Sequence, residues 1–275
     1  MGRVIKSGRS RNPSPSPVGI LLQHWRKVRR MSQLDLAAEA GASSRHVCFV
    51  ETGRAKPSPE MVILLANALG VPLREQNSFL LAAGYAPVYR ETPLDAPELG
   101  PARSALDAIL RQQEPYPAVV MTRHWDILRA NDAAGRFFGF LLGADKASGP
   151  ANVVRMMFDP KALKPYVADW ERVAETLIRR IHRESVGGVI DEKSRKLIEE
   201  VLKFPEVPER WRHPDLEAPQ DPVIPVSFRK NGRTFDFMST VTTLGTPQDI
   251  TLQEIRIECF FPMNLETERQ ARLLI

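Results

Sequence analysis

Cysteine and long apolar runs are scarce in this chain of 275 residues. Its two cysteines, Cys48 and Cys259, lie far apart and form no CxxC pattern, so the sequence indicates no disulfide framework. No run of about 18 apolar residues occurs, which argues against a membrane span. Residues 1–17 contain Arg, Ser and Pro but no apolar stretch of the kind found in secretory signals. We therefore expect a cytoplasmic protein that has no membrane partner.

Motifs that carry catalysis or hold metals are also missing. The sequence contains no HExxH, GxGxxG, GxxxxGK[ST] or GxSxG pattern. None of the five histidines pairs with another histidine or with a cysteine at the spacing of metal ligands. These absences predict no catalytic residue, no metal site and no cofactor.

Positive charge is concentrated at the beginning of the chain. Residues 1–60 contain 11 Lys and Arg against 4 Asp and Glu, a formal charge of +7. The rest of the chain has 27 Lys and Arg against 29 Asp and Glu, a formal charge of −2. A basic end on a nearly neutral body indicates either a nucleic-acid surface or, without a binding motif, a solvated basic face.

A motif in residues 32–53 favours nucleic acid. Two short segments with helical spacing are each preceded by a serine that can cap a helix. Gly41 stands between them, where the end of a helix requires a left-handed residue. The order Gln33, Ala37, Gly41 and Val47 has the spacing of a helix-turn-helix, in which the second helix enters a DNA groove.

Flanking segments extend this motif to five short helices over residues 18–84, two of which end at Gly70 and Gly84. The set resembles the DNA-binding domain of Xre/Cro-type regulators, an all-α, lambda repressor-like fold. This resemblance implies that double-stranded DNA is a partner.

The same resemblance assigns roles to single residues. Gln33 matches a phosphate-contacting glutamine, while Ser44 and Arg45 fall on base-facing positions. Phe49 also falls on such a position, where it either contacts a thymine methyl group or simply packs. Arg54 and Lys56 are expected on phosphates. The expected DNA-binding residues are Gln33, Ser43, Ser44, Arg45, Phe49, Arg54 and Lys56.

Other residues of this front segment have structural or open roles. Arg26 and Glu51 match a family pair that forms a partly buried ion pair between the first helix and the recognition helix. Cys48 lies on the recognition helix, either as an oxidant-sensing thiol or as a small packed side chain. Residues 1–17 are expected to be disordered, as a tail or as an arm that reaches a minor groove.

A proline-rich linker at 85–103 separates this domain from a second one, in which strand patterns begin at Pro117. Asn131 opens a helix, further helices lie between 152 and 204, and Asn231-Gly232 marks a hairpin turn. The expected strands are 117–122, 125–130, 223–229, 234–243 and 251–261. A helix at 104–113 precedes them.

The second domain, residues 104–275, resembles the ligand-binding domain of MmyB-like transcription regulators, a PAS-related fold. The matching segments are EPYPAVV, HWDILRAN, PYVADWERVA, FPEVPERWRHPDL and GTPQDITLQEIRIECFFP. The whole chain is thus expected to be an α+β multidomain protein, with the five-helix domain before a PAS-like α+β sensor. The resemblance implies a pocket for a small apolar molecule such as a fatty acid.

The pocket is expected to be lined by aromatic residues, although aromatic side chains at such spacing commonly form a core. The expected lining is Trp125, Phe137, Phe138, Trp170, Phe235 and Phe237. We therefore expect a homodimeric regulator whose DNA affinity responds to the ligand. Two alternatives stay open: a second domain that only dimerises or docks a partner around a filled core, and an enzyme regulated through DNA binding.

Overall fold

The computed structural model describes residues 14–143, 151–186, 191–213, 223–245 and 247–274. The chain divides into two compact units between Tyr89 and Arg90, a point inside the linker expected at 85–103. Positions 1–13 of the expected arm lie outside the described residues, and Ser16 already caps the first helix.

The first unit contains the five helices that the sequence predicts. They are α1 (Pro17–Val28), α2 (Gln33–Glu39), α3 (Ser44–Glu51), α4 (Pro59–Ala68) and α5 (Leu73–Ala82). Four of them are capped by serine hydroxyls that accept a backbone N–H of the first turn, at Ser16, Ser32, Ser43 and Ser58. Because each such cap contributes about 1 kcal/mol, the starts of these helices are specified locally.

The first and third helices approach each other so closely that only glycine fits between them. A Cβ atom on Gly19 would lie 2.6 Å from the carbonyl oxygens of both Val50 and Glu51. Helical periodicity alone does not reveal this contact, because it joins α1 to α3 across the core. The contact sets the position of α3 against the rest of the unit.

The second unit is built on a five-stranded antiparallel sheet with the order β2-β1-β5-β4-β3. Its strands are β1 (Ala118–Met121), β2 (Ile127–Ala130), β3 (Ile224–Lys230), β4 (Arg233–Thr243) and β5 (Arg256–Pro262). The chain places β5 in the centre of the sheet, between β1 and β4. This α+β arrangement fits the expected PAS-like fold.

Helices cover both faces of the sheet. They are α6 (Gly100–Gln112), α7 (Asp132–Leu142), α8 (Val153–Phe158), α9 (Trp170–Val186), α10 (Glu192–Val201), α11 (Ile250–Glu254) and α12 (Leu265–Arg272). On one face, Leu106 and Leu110 of α6 pack against Val120 and Ile257. On the other face a larger core contains residues of α7, α8, α9 and α10, and it borders the cavity described below.

Local signals are confirmed at most elements of this unit. Asn131 caps α7 through its side-chain oxygen, and Asn231 and Gly232 turn the hairpin with φ values of 50° and 73°. The strand expected at 251–261 is wrong at its start, because residues 250–254 form α11. Asp249 accepts the backbone N–H of Thr251 and so begins a helix where apolar alternation indicated a strand.

Candidate DNA-binding surface and ligand cavity

The turn between α2 and α3 is held by backbone geometry. Gly41 has a φ of +61°, which L side chains rarely adopt, and the backbone N–H of Ala42 bonds to the carbonyl of Ala37. Val47 and Val50 of α3 are fully buried, so they fix which face of the helix is exposed. The helix-turn-helix is therefore a rigid support for the residues on the opposite face.

The exposed face of α3 carries the residues predicted to face bases. Ser44 and Arg45 are exposed, whereas Phe49 is half-buried, and the capping residue Ser43 is exposed just before the helix. The Arg45 guanidinium lies over the Phe49 ring at 5.2 Å, and that of Arg54 lies 6.0 Å from the same ring. Phe49 thus supports two arginines at once, a role that the resemblance did not indicate.

A second aromatic ring supports Lys56. The Lys56 Nζ atom lies 4.7 Å from the centre of the Tyr85 ring, and the Tyr85 hydroxyl donates to the carbonyl of Pro57 at 2.9 Å. Arg29 has a different position, because its guanidinium donates to the carbonyl oxygens of Leu69 and Gly70 at the end of α4. Lys56 is therefore exposed for contact with a DNA phosphate, whereas the Arg29 guanidinium is hydrogen-bonded within the unit.

Arg26 and Glu51 form the ion pair that joins α1 to α3. Arg26 Nε and Nη2 donate to the two carboxylate oxygens of Glu51 at 2.7 and 3.1 Å, and Arg26 Nη1 donates to the carbonyl of Met31. The Glu51 side chain is 2% exposed and that of Arg26 is 13% exposed. The hydrogen bond to Glu51 is the largest factor that raises the pKa of Arg26.

Gln33 joins this pair. Its Nε2 atom donates to Glu51 Oε2 at 2.7 Å, so the Glu51 carboxylate accepts three hydrogen bonds. The first residue of α2 is therefore tied to the last residue of α3. The expected contact between Gln33 and a DNA phosphate stays a prediction. It would use the second N–H of the Gln33 amide, because the first donates to Glu51.

The second unit contains an apolar cavity between the sheet and the helices of the larger core. It has about 550 Å³ of atom-free space, part of it open to solvent. Its lining includes Phe138, Met157, Leu177, Phe228 and Phe260. The described lining of the cavity is therefore mainly apolar.

One of the six aromatic residues expected in the pocket, Phe138, lines this cavity. Phe137 instead sits at the centre of a cluster, with Phe138, Phe228, Phe235 and Phe237 in edge contact at 5.2–5.4 Å. The described lining does not include Phe137, Phe235 or Phe237. These rings point inward from α7 and β4, as their spacing predicts, but they fill the core rather than border the space.

The two expected tryptophans also pack elsewhere. Trp125 is 1% exposed in the core, with the guanidinium groups of Arg180 and Arg256 at 5.4 and 5.5 Å from its ring. Trp170 contacts the ring of Phe158, and its indole N–H donates to the carbonyl of Met157 at 2.7 Å. Neither Trp125 nor Trp170 is among the described residues that line the cavity.

Comparison with known families decides what these two units are. Residues 102–274, more than half of the chain, match the family described as MmyB-like transcription regulator ligand binding domain. The chain belongs to this family. Residues 22–76 match a helix-turn-helix family. A search of curated proteins finds no match.

The MmyB-like regulator therefore combines a DNA-binding helix-turn-helix unit with a ligand-binding domain, and it regulates transcription. Both matching families are binding domains rather than enzymes. In the described part of the chain, no helix has the length and apolar character needed to cross a bilayer. The described residues also contain no group of three or more His, Cys, Asp or Glu side chains arranged to hold a metal ion.

Several functional features of the MmyB-like chain were missed at the level of sequence. Arg45 and Phe49 are four residues apart, a spacing that brings side chains together on a helix, so their contact could have been foreseen. Glu258 lies on β5 among apolar neighbours, and a lone acid in such a strand is a detectable signal. The approach of Tyr85 to Lys56 has no comparable local signature. Cys48 on α3 is a free, half-buried cysteine.

Proposed function

We propose that this regulator binds a specific double-stranded DNA site as a homodimer, and that a small apolar ligand in the second unit changes its affinity for that site. The observation that supports the proposal most is the apolar cavity inside a domain of a ligand-binding family. We place its action in the cytoplasm, where it meets DNA.

On the DNA side, we propose that Arg45 reads a guanine through two hydrogen bonds in the major groove, with Ser44 beside it. Phe49 holds the guanidinium of Arg45 in place and leaves its N–H groups free to donate. Gln33, Ser43, Arg54 and Lys56 contact phosphates and set the position of α3 on the duplex.

Replacing Arg45 with alanine tests this assignment. We expect Arg45→Ala to weaken binding to the specific site by about 1–3 kcal/mol and to relax the preference at one base pair. Binding to random DNA should change little. The measurement is a titration of both DNAs over a range of salt concentrations, after the operator has been selected from a random library.

Lys56→Ala is the matched control, since Lys56 is an exposed cation of the same unit that we place on phosphate. It should weaken specific and random DNA alike and reduce the salt dependence by roughly one phosphate contact. Equal losses on specific and random DNA for Arg45→Ala would show that Arg45 contacts only the backbone.

We propose two copies on DNA because one five-helix unit offers few base contacts. A two-fold dimer would place two recognition helices on inverted half-sites about 34–36 Å apart, or a multiple of that distance. Footprinting should show a near-palindromic site with both halves protected. Protection of a single half-site by one chain would contradict the dimer.

We propose that the ligand effect passes along the chain through residues 88–92. Asn77 accepts the backbone N–H groups of Val88 and Tyr89 at 3.1 Å. A few residues later, Asp249, the residue that caps α11, accepts the backbone N–H of Thr92 at 3.2 Å. Since α11 leads directly into β5, and β5 borders the cavity, we propose that a ligand acts on this anchored segment.

Filling the cavity tests the ligand effect. Val153 is a half-buried lining residue at the start of α8, and Val153→Phe would occupy space that a ligand needs. We expect this variant to carry no apolar molecule in native mass spectrometry and to have the same operator affinity with and without lipid extract. Wild-type protein should change its affinity when its ligand is removed.

The same spectra report whether the protein is a dimer. If wild-type protein bound operator equally well with and without every co-purified molecule, the ligand effect would be refuted. The second unit would then be an assembly module, the alternative that the sequence leaves open.

A further inference from the structure

Three exposed cations of the DNA-binding unit, Arg45, Arg54 and Lys56, lie against aromatic rings. Arg26 differs from them, because its guanidinium donates to the carboxylate of Glu51. An aromatic face attracts a cation through its quadrupole and does not neutralise its charge, as a carboxylate would. The three exposed cations are therefore held in place and keep their charge for a phosphate.

The ring beside Lys56 comes from outside the helix-turn-helix. Phe49 is on α3 itself, whereas Tyr85 follows the end of α5, and its partner Pro57 is 28 residues earlier in the chain. The Lys56 Nζ atom lies 4.7 Å from the centre of the Tyr85 ring, and a Cβ atom on Gly84 would lie 3.6 Å from the same nitrogen. The ammonium thus lies at the C-terminal end of α5, where the helix dipole favours a cation.

Tyr85 is fixed at this position by its backbone and by its hydroxyl. Its backbone N–H donates to the carbonyl of Leu80, in the turn that Gly84 completes with a φ of +81°. Its hydroxyl donates at 2.9 Å to the carbonyl of Pro57, a buried residue that directly follows Lys56. The Tyr85 side chain also packs half-buried against the core of the unit. The ring is therefore ordered without DNA, and its hydroxyl fixes the backbone next to Lys56.

An ordered ring lowers the cost of placing a lysine on DNA. A flexible lysine side chain loses conformational entropy when it becomes ordered on a phosphate. A ring that already restricts the side chain reduces this loss, and it leaves the N–H donors of the exposed ammonium for the phosphate oxygens.

We propose that Tyr85 is a positioning residue for DNA binding, which holds the Lys56 ammonium in place for a backbone phosphate. This inference rests on the proposed phosphate contact of Lys56. It extends the residues that determine DNA affinity beyond the helix-turn-helix, to the end of α5. Because a phosphate contact carries no sequence information, Tyr85 should affect specific and random DNA alike.

Two substitutions separate the ring of Tyr85 from its hydroxyl. Tyr85→Leu removes the ring and keeps an apolar side chain, so full-length protein should bind operator and random duplexes about two- to fivefold more weakly at a fixed salt concentration. Tyr85→Phe keeps the ring and should bind more tightly than Tyr85→Leu. Fluorescence anisotropy measures both affinities, and circular dichroism shows whether each variant is folded at the temperature of the titration.

A double-mutant cycle distinguishes positioning from stability. In the Lys56→Ala background, Tyr85→Leu should cause no further loss of DNA affinity, because the ring then has no ammonium to hold. A residue that only stabilised the fold would cause the same loss with or without Lys56. Leu64→Ala is the control, since Leu64 is a 42% exposed apolar residue on α4. It should change neither the affinity nor its salt dependence.

A spectroscopic measurement does not depend on the stability of a Tyr85 variant. In wild-type protein, the side-chain protons of Lys56 should be shifted upfield by the ring current of Tyr85. Comparison with the NMR spectrum of Lys56→Ala identifies these protons. Lys56 protons at their ordinary positions would refute the contact with the ring.

The outcomes also separate this inference from the proposed phosphate contact. If Tyr85→Leu weakened DNA binding equally in both backgrounds, or left it unchanged, the positioning role would be refuted while the phosphate contact of Lys56 stood. If Lys56→Ala changed neither DNA affinity nor its salt dependence, the phosphate contact itself would fail, and the role of Tyr85 with it.

Discussion

Glu51→Ala is expected to destabilise the DNA-binding unit strongly, although Glu51 is not among the residues that we place on DNA. The substitution leaves the Arg26 guanidinium in a site where its side chain is only 13% exposed. Removing one partner of a buried ion pair costs about 3–5 kcal/mol. We expect the lower end, about 3 kcal/mol, because Arg26 keeps its bond to the Met31 carbonyl. Gln33 also loses its acceptor. Urea unfolding followed by circular dichroism measures the change.

Glu39→Ala is the control, since Glu39 is an exposed acid at the end of α2. It should leave the unfolding free energy almost unchanged, and operator binding with it. Loss of operator binding by Glu51→Ala at an unchanged unfolding midpoint would contradict a structural role. That result would mean that Glu51 acts on DNA binding by holding Gln33, which we place on phosphate.

Phe137→Ala is expected to destabilise the ligand-binding unit strongly. Phe137 is 2% exposed and contacts four other phenylalanine rings, so its removal leaves a cavity that the surrounding rings cannot fill. Truncation of such a residue costs about 3–5 kcal/mol. The unfolding free energy of this unit should fall by that amount in denaturant titrations followed by tryptophan fluorescence.

Phe261→Ala is the matched control, because Phe261 is on β5 in the same unit and is 37% exposed. We expect it to cost much less than Phe137→Ala. If the Phe137→Ala variant kept full stability but lost its co-purified ligand, Phe137 would line the ligand pocket after all. It would then show that the space described around Phe138 extends to the aromatic cluster.

The fold of the DNA-binding unit could be predicted almost fully from the sequence, because the signals that specify its helices are local. Serine caps, a turn glycine with positive φ and apolar spacing all act within a few residues of the chain. The ion pair between Arg26 and Glu51 was expected from the resemblance. Its third member, Gln33, and the role of Gly19 were not, because both depend on how helices cross in space.

The ligand-binding unit shows the limit of spacing arguments. Alternation along β4 correctly turns Phe235 and Phe237 inward, but it does not say whether an inward ring meets another ring or empty space. The answer depends on α7, whose Phe137 fills the space above β4, whereas the space near β5 and β1 stays partly open. Five of the six expected lining residues therefore lie outside the described lining.

The sequence by itself determined the two-part architecture, the helix-turn-helix, most element boundaries and the residues that α3 exposes. These depend on capping, turn geometry and periodicity, which are properties of neighbouring residues. Only the tertiary structure decided that Tyr85 supports Lys56, that Glu258 borders an apolar cavity and that most aromatic residues form the core. Such facts depend on contacts between distant segments, and the packing of all side chains together selects them.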